Sequence, residues 1–549
     1  MDSENHNVAA EFFRTALSRA DDLALFYKGR PVLGETPDQS LSFAELAKIA
    51  NFLSCEFRNS GISSGDKTLV MLRYSPEFIA TVFALFSLGA VPVLIDPGMG
   101  FSRLLHCISN TKPRALVAIP LVHWVKFFRR SCFSSVDIVF SIKGFTPPLS
   151  GIRKIPHIGE MLSAKIANPR ETLRRSESDI AAIVFTTGST GPAKGVEYTH
   201  GIFKSQLGMI SEYYGAGPAH IDMPCFPLFA MFSLCLGMPC VIPDIDPSRP
   251  AKASPETIVN TVKKHKVSFS FASPTLWRRV ADYCQEKNIR LDTLRKVLMA
   301  GAPVPASIHE SIRSVISPDG DSIVPYGATE SLPIANFSGK EMLAETACLT
   351  AQGRGYCVGR PVKECETRII RPVDGNIKNI DEVEFIPNGE IGEIIVKGPV
   401  VTARYHQNTE ATELAKIADG ARIWHRMGDM GYFDNDGRLW FCGRKNHLVK
   451  TKDGVLYPVC CEAPFNIFTK RRCALVGKGE ANKETPVLVV EADLPEDEFE
   501  KLKESLRNFA ARNEVTKRIS HFAQMRNFPV DIRHNAKISR EKIRAWIAS

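Results

Sequence analysis

The sequence predicts an α/β protein with a smaller α+β tail, and three observations carry this. Apolar runs recur at 68–72, 91–95, 115–119, 136–140, 180–185 and 297–300, with helical patterns between them. That alternation is the signature of largely parallel, buried strands. From about residue 357 to 432 the texture changes to short strands, at 366–371, 392–397 and 431–433, broken by Gly, Pro and Asn. This predicts a small, mostly antiparallel β unit. The third observation is a shift at 443–447, after the turn-rich DNDG at 434–437 and a strand at 439–441. Strands at 474–476 and 487–490 follow, then a helix over 496–513 in which Phe499, Leu502, Leu506, Phe509 and Ala510 recur at helical spacing. A final basic helix starts at about Ser539. A domain boundary is therefore expected near 443, dividing 1–442 from 443–549.

Bulk properties narrow the function. With 549 residues, 44% hydrophobic and 23% charged, the chain can bury a large core without staples. A net charge of +9 is mild; it favours anionic ligands such as nucleotides and is too scattered to argue for nucleic acid. Fourteen cysteines are spread without metal-like pairs, and the acidic, amphipathic N-terminus lacks a basic, then apolar, signal pattern. Reduced thiols and a cytoplasmic location are expected. Residues 78–95 carry no charge over eighteen positions, the length of a membrane span. Gly89 and Pro92 instead divide them into a helix, 78–88, and a strand, 91–95, ending at Asp96-Pro97-Gly98. A buried helix–turn–strand unit is expected there, and no transmembrane segment.

The string TTGSTGPAKG at 186–195 follows the apolar run 180–185. Glycines Gly188 and Gly191 let a backbone approach a ligand, and the hydroxyls of Thr186, Thr187, Ser189 and Thr190 add donors. Lys194 adds a point charge suited to phosphate. The spacing is not that of the common nucleotide-binding loop, because Pro192 and Ala193 separate the second glycine from the lysine. A bare GSTG would read as a surface loop; the full string after a buried strand reads as a phosphate loop.

That string resembles the signature loop of the adenylate-forming superfamily: acyl-CoA synthetases, peptide-synthetase adenylation domains and beetle luciferases. Further motifs resemble the same superfamily, in its order along the chain. In Tyr326-Gly327-Ala328-Thr329-Glu330 the resemblance implies that Tyr326 stacks on adenine, Thr329 binds the α-phosphate and Glu330 helps hold Mg²⁺. Gly301-Ala302-Pro303 is similar to the adenine-side loop. His425-Arg426-Met427-Gly428-Asp429 implies that Asp429 takes both ribose hydroxyls, with Arg444 also reaching the ribose. Asn446 falls at the hinge position, more often Asp or Lys. Lys537, in VDIRHNAKI, matches the mobile catalytic lysine that bridges carboxylate and α-phosphate. The resemblance covers essentially the whole chain. It implies a large N-terminal domain of two α/β lobes plus a β unit, a mobile C-terminal α+β domain, and ATP with Mg²⁺ as cofactors.

The second half-reaction is carried by less specific residues. Coenzyme A is the superfamily's usual acceptor, but 450–462 departs from the turn that lines the thiol tunnel. The stretches 241–251, 441–445 and 528–538 resemble a narrower subgroup, the β-lactone synthetases of bacterial long-chain olefin biosynthesis. That implies a long-chain 2-alkyl-3-hydroxy acid substrate and other enzymes of the olefin pathway as partners. A long-chain acyl-CoA ligase and a non-catalytic acyl or nucleotide binder are the alternatives. Phe226, Phe229, Met231 and Phe232 suit an alkyl pocket, with core packing as the plainer reading. Pro227 and Leu228 replace the aromatic/histidine pair usual there. His200 is a candidate base for the hydroxyl proton, and a structural histidine equally. The aromatic and basic stretch 121–130 suits a membrane surface or a partner enzyme, although a packed helix with a basic exposed edge is the preferred reading.

Overall fold

The computed structural model describes residues 5–29, 37–142, 144–148, 151–165, 171–186, 193–246, 249, 252–530 and 538–549. The chain forms two compact units. The first comprises Met1–Leu298, Arg313–Gly320 and Pro399–Thr412; the second comprises Met299–Ile312, Asp321–Gly398 and Glu413–Ser549. The expected boundary near 443 falls inside the second unit.

In the first unit a seven-stranded sheet runs in the order Ile152–Ile155, Ile138–Ile142, Ala115–Ala118, Lys67–Met71, Val91–Leu94, Ile180–Thr186, Lys194–Thr199. All its pairs are parallel except the last. The uncharged segment 78–95 resolves into the helix Pro76–Ser87 and the strand Val91–Leu94. Ser75 caps the helix by accepting from Phe78 N–H, and Pro76 occupies its first turn, where no N–H is needed. Every residue of this helix but Glu77 in its first turn is buried, which the apolar character of 78–87 requires. Among the described residues no helix is long and apolar enough to cross a membrane. Asn7 fastens the N-terminal helix Val8–Ser18 to this core: its side-chain amide donates to the carbonyls of Phe86 (2.7 Å) and Leu173 (2.8 Å).

A second sheet in this unit joins Phe269–Ala272, Asp222–Pro224, Cys240–Val241 and Leu23–Lys28 in parallel, with Asp38–Ser42 antiparallel at the edge. Asp222 is 1% exposed, and Ser233 donates to its carboxylate at 2.5 Å.

The second unit holds the antiparallel sheet. Its order is Asp321–Ala328, Ser331–Ser338, Tyr356–Pro361, Leu439–Arg444, Arg422–Phe433, Gly392–Lys397, Glu366–Ile370. It is larger than expected, because the segment read as a strand at 431–433 is the end of the twelve-residue strand Arg422–Phe433. In the tail, Cys473–Lys478, Thr485–Glu491 and His521–Met525 form a three-stranded sheet. Its side chains alternate between two cores. Cys473, Leu475, Leu488 and Val490 pack with Phe465 and Leu506, whereas Ala474, Val476, Val487 and Val489 pack with Phe528 and Ile543. Both faces are covered, which explains why these strands read as continuous apolar runs. The last helix, Arg540–Ala548, is tied down by Arg540, which grips the buried carboxylate of Glu462 through Nη2 (2.5 Å) and Nε (3.1 Å).

Asp222 makes the stability of the first unit depend on pH. Burial pushes its carboxyl up to about 7, against the lowering effect of the Ser233 hydroxyl. The folded form then holds a proton that the unfolded chain releases near pH 4. Stability from this group is complete below that pH and is lost as pH rises through about 7. Asp222→Asn is expected to flatten that decline, raising the melting temperature at pH 8 relative to wild type. The gain is at most about 4 kcal/mol. Equal melting curves at pH 8 would show that the carboxyl ionises there without strain.

Candidate functional site

The loop found in the sequence bridges a β-hairpin in the first unit. Thr186 ends one strand directly opposite Lys194, which begins the next. Thr187, Gly188, Ser189, Thr190, Gly191 and the side chain of Thr186 lie outside the described residues. The Lys194 ammonium stands 4.8 Å from the ring centroid of Tyr405, a cation–π contact. The same strand carries Glu197, 6% exposed, which accepts from Arg404 Nε (2.5 Å) and faces His406 Nδ1 (2.7 Å). Burial raises the Glu197 pKa, but His406 and Arg404 outweigh it and hold the carboxyl below its usual range. The His406 N–H donates to Gly195 O at 2.7 Å. Residues 404–406 thus clamp the strand that presents Lys194. The sequence carried one signal for this, an acidic residue inside the otherwise apolar and hydroxylic strand KGVEYT.

The aromatic stretch of the first unit forms one cluster. Phe229 stacks on Phe271 at 3.8 Å and 14°, with Phe226 at 5.6 Å from the same ring. Phe232 lies 5.9 Å from Phe229 and 5.8 Å from Phe203. Phe229 and Phe232 are half-buried, whereas Phe226 and Met231 are buried. His200 is fully buried in the first turn of the helix His200–Tyr214, and its Nδ1 accepts from Val8 N–H at 3.2 Å. Burial pushes it down to about 4, so it is a neutral structural residue. Of its two readings the structure therefore favours the structural one.

The second unit gathers the nucleotide motifs on its antiparallel sheet. Tyr326 Oη donates to Asp429 Oδ2 at 2.7 Å, and Arg444 Nε pairs with Asp429 Oδ1 at 3.0 Å. Arg444 also donates to Met427 O at 3.0 Å. Burial and the neighbouring Asp429 push the Tyr326 phenol well up, so it stays a donor. Asp429 is 3% exposed and sits in a bulge: Glu393 faces Met430, whereas Ile395 faces Arg426. A bulge turns a side chain out of the regular pleat, and here the extra residues include Asp429. The bulge is fixed from below by a buried ion pair. Arg426 grips Glu393 through Nε (3.0 Å) and Nη2 (2.8 Å), and Lys445 reaches the same carboxylate at 3.0 Å.

Thr329 and Glu330 form the two-residue turn between Asp321–Ala328 and Ser331–Ser338. Gly327 makes this turn possible, since a Cβ there would come within 2.5 Å of Ser331 O. Gly301, Ala302 and Pro303 follow the strand Lys296–Met299, with Gly301 and Pro303 exposed. Sequence reasoning missed Lys416, which lies on the strand Lys416–Asp419 and is 8% exposed. Burial pushes its ammonium down to about 7, opposed by the carboxylate of Glu330. Its signal was a lysine within the apolar run LAKIA at 414–418. Asn446 is exposed in the short turn Lys445–His447, between two clefts of about 380 and 360 Å³. Lys537 lies outside the described residues; the flanking Val530 and Ile538 are bridged, and Ser539 N–H donates to Pro529 O at 2.8 Å.

This chemistry suits a nucleotide with its metal. An ionised carboxylate is acceptor-only, so the Asp429 side chain is of a type that suits ribose hydroxyls, which donate. Glu330 would offer one hard oxygen ligand, and Mg²⁺ ordinarily takes one or two carboxylates with phosphate oxygens completing its shell. Among the described residues no group of three or more His, Cys, Asp or Glu is placed to hold a metal by itself.

Sheet order, hairpin and bulged aspartate together define a class. Residues 12–406 match the AMP-binding enzyme family, and the chain belongs to it. It is 40% identical to an olefin β-lactone synthetase of Xanthomonas campestris pv. campestris, over 99% of this chain and 97% of that one. A second olefin β-lactone synthetase, from Stenotrophomonas maltophilia, is 39% identical over 99% and 98% of the two chains. Among solved structures, the amide bond synthetase McbA from Marinactinospora thermotolerans superposes with a TM-score of 0.78 at 21% identity, covering 99% of this chain and 100% of that one. The fold is that of adenylate-forming enzymes.

Asp429→Asn is expected to weaken ATP binding roughly 10- to 100-fold, the worth of a hydrogen bond to a charged group. It should also abolish any preference for ATP over 2′-deoxy-ATP; a preference that survives in calorimetry would remove Asp429 from the ribose. Arg426→Met leaves Glu393 buried without its main partner, and should destabilise the second unit by about 3–5 kcal/mol. A melting temperature within error of wild type would contradict that account of the bulge.

Proposed function

We propose that this chain is an ATP-dependent, AMP-forming β-lactone synthetase acting on a long-chain 2-alkyl-3-hydroxyalkanoic acid, in long-chain olefin biosynthesis. The observation that carries this reading is the near-full-length identity to two olefin β-lactone synthetases. AMP-binding family membership supports the first half-reaction. The Phe226, Phe229 and Phe232 cluster offers an apolar surface of the kind alkyl chains need, and Met231, on the same helix as Phe229 and Phe232, is buried.

A carboxylate is a poor acyl donor until its oxygen becomes a good leaving group. Its oxygen attacks the α-phosphorus of ATP, the bond from that phosphorus to the β-phosphate oxygen breaks, and pyrophosphate leaves. In this reading Asp429 and Arg444 hold the ribose, while Tyr326 lies under adenine beside Gly301, Ala302 and Pro303. Thr329 donates to the α-phosphate. The loop from Thr186 to Gly191 and Lys194 steady the β- and γ-phosphates, with Tyr405 fixing where the Lys194 ammonium stands. Glu330 would hold Mg²⁺, which when bound would supply positive charge to crowded phosphate oxygens. Lys537 approaches the α-phosphate as 443–549 swings about Asn446. Positioning and electrostatics carry most of such a transfer.

In the second step the substrate's 3-hydroxyl oxygen attacks the acyl carbon, the bond to the AMP phosphate oxygen breaks with its electron pair leaving on AMP, and the hydroxyl proton passes to water. The attack is intramolecular, which favours it, and the reactive anhydride offsets the strain of a four-membered ring. The buried, neutral His200 is not assigned the proton.

The test supplies ATP, Mg²⁺ and a 2-alkyl-3-hydroxy acid, with and without coenzyme A, and follows products by NMR. Lactone and AMP are expected without coenzyme A. A thioester formed only with coenzyme A would make the chain an acyl-CoA ligase, and no AMP with any acid would make it a binder. Lys537→Ala should abolish adenylate formation while ATP binding persists; adenylation at the wild-type rate would remove Lys537 from its role.

A further inference from the structure

The helix Pro120–Phe128 and the loop after the strand Ile138–Ile142 build an aromatic surface that the residues described so far do not use. Trp124 is its centre. Its ring lies 6.2 Å from Phe127, 6.3 Å from Phe128 and 5.7 Å from Phe145. Around it Leu121, Phe128 and Phe145 stand 66%, 72% and 81% exposed. Single exposed apolar residues are common on soluble proteins, but a contiguous aromatic group with a polar rim marks a contact surface.

Phe145 is held outward by a built loop. Gly144, at φ +152°, presses on the first turn of the helix so closely that a Cβ would meet Pro120 Cγ at 2.6 Å. Lys154 Nζ then donates to Gly144 O (3.1 Å) and Thr146 Oγ1 (3.0 Å). The loop is pinned at both its glycine and its threonine, and the ring between them is left in water.

The rim is cationic. Arg129 and Arg130 follow the helix directly and are exposed, Lys126 is half-buried beside them, and Arg130 lies 5.1 Å over the Phe127 ring. Between residues 97 and 159 the sequence carries nine Lys and Arg and one acidic residue, Asp137, which pairs with Arg114 at 3.6 Å. His123, on the same helix, is pushed by burial to about 4 and adds no charge. A contiguous group of exposed aromatic and aliphatic side chains on a cationic surface fits a bilayer: the rings enter at the headgroup level while Lys and Arg meet phosphates.

We propose that this face docks the chain peripherally on an anionic lipid bilayer, with Leu121, Phe128 and Phe145 inserting and Lys126, Arg129 and Arg130 meeting lipid phosphates. This reverses the plainer reading of 121–130 as a packed helix with a basic edge. It does not rest on the reaction proposed above, and vesicle binding requires no turnover, so each can fail alone.

The test is flotation of the full chain with vesicles of phosphatidylcholine alone or mixed with phosphatidylglycerol, at low and high salt. The chain should float with the mixed vesicles, remain below with phosphatidylcholine alone, and be released by salt. Arg129→Gln with Arg130→Gln should lower partitioning roughly thirtyfold, from the worth of two cations at an anionic leaflet. Phe128→Ser with Phe145→Ser should lower it at least as far, and both double variants should melt as wild type does. No flotation with mixed vesicles, or flotation indifferent to both double variants, overturns the proposal. So does light scattering that shows a dimer dissolved by the phenylalanine variant, because the face then belongs to a second copy.

Discussion

The nucleotide end of the second unit hangs on one buried ion pair. Arg426 and Glu393 are 5% and 2% exposed at their side chains, and two charges taken so far out of water persist only when fully satisfied. They are: beyond Glu393, Arg426 donates to the carbonyls of Val373 (2.7 Å), Gly375 (2.6 Å) and Leu414 (3.2 Å). The pair fixes where the strand Gly392–Lys397 meets Arg422–Phe433, and so where the pleat must bulge. Asp429 lies in that bulge, and Tyr326 and Arg444 converge on it from the strands Asp321–Ala328 and Leu439–Arg444. A buried charge pair on neighbouring strands thereby sets the geometry of the Asp429 carboxylate.

Much of the fold was legible because its strands are short, apolar and regularly spaced. The runs at 68–72, 115–119 and 180–185 lie within a residue of the strands Lys67–Met71, Ala115–Ala118 and Ile180–Thr186. The strand expected at 136–140 begins two residues later, at Ile138. Asp137 and Ile138 N–H both turn to Arg114 O there, so the neighbouring strand decides where pairing starts. Arg422–Phe433 was recognised only at its end because His425, Arg426 and Asp429 interrupt its apolar pattern. Those polar residues are buried through partners supplied by other segments, a relation that periodicity along one segment does not encode.

The same distinction separates what was found in the site from what was missed. Tyr326, Asp429 and Arg444 lie in recognisable strings, and the structure brings the three together. Tyr405, Arg404 and His406 carry no local mark, and their importance comes from meeting Lys194 and Glu197 across the fold. Lys416 is marked only by being a lysine where an apolar residue would fit, and its meaning depends on Glu330 nearby. Local sequence names the residues of a recognisable string more readily than the residues that hold them in place.

The clamp on the strand Lys194–Thr199 also bears on how the chain is made. Glu197 waits for Arg404 and His406, which lie 207 and 209 residues further on. On the ribosome, the strand that carries Lys194 is synthesised long before the segment that fastens it, and Asp321–Gly398, belonging to the other unit, emerges in between. The first unit is therefore completed late, after part of the second exists, and contacts of such separation close slowly. A nascent chain stopped anywhere from residue 198 to residue 403 holds every residue of 186–195, and Glu197, but neither Arg404 nor His406.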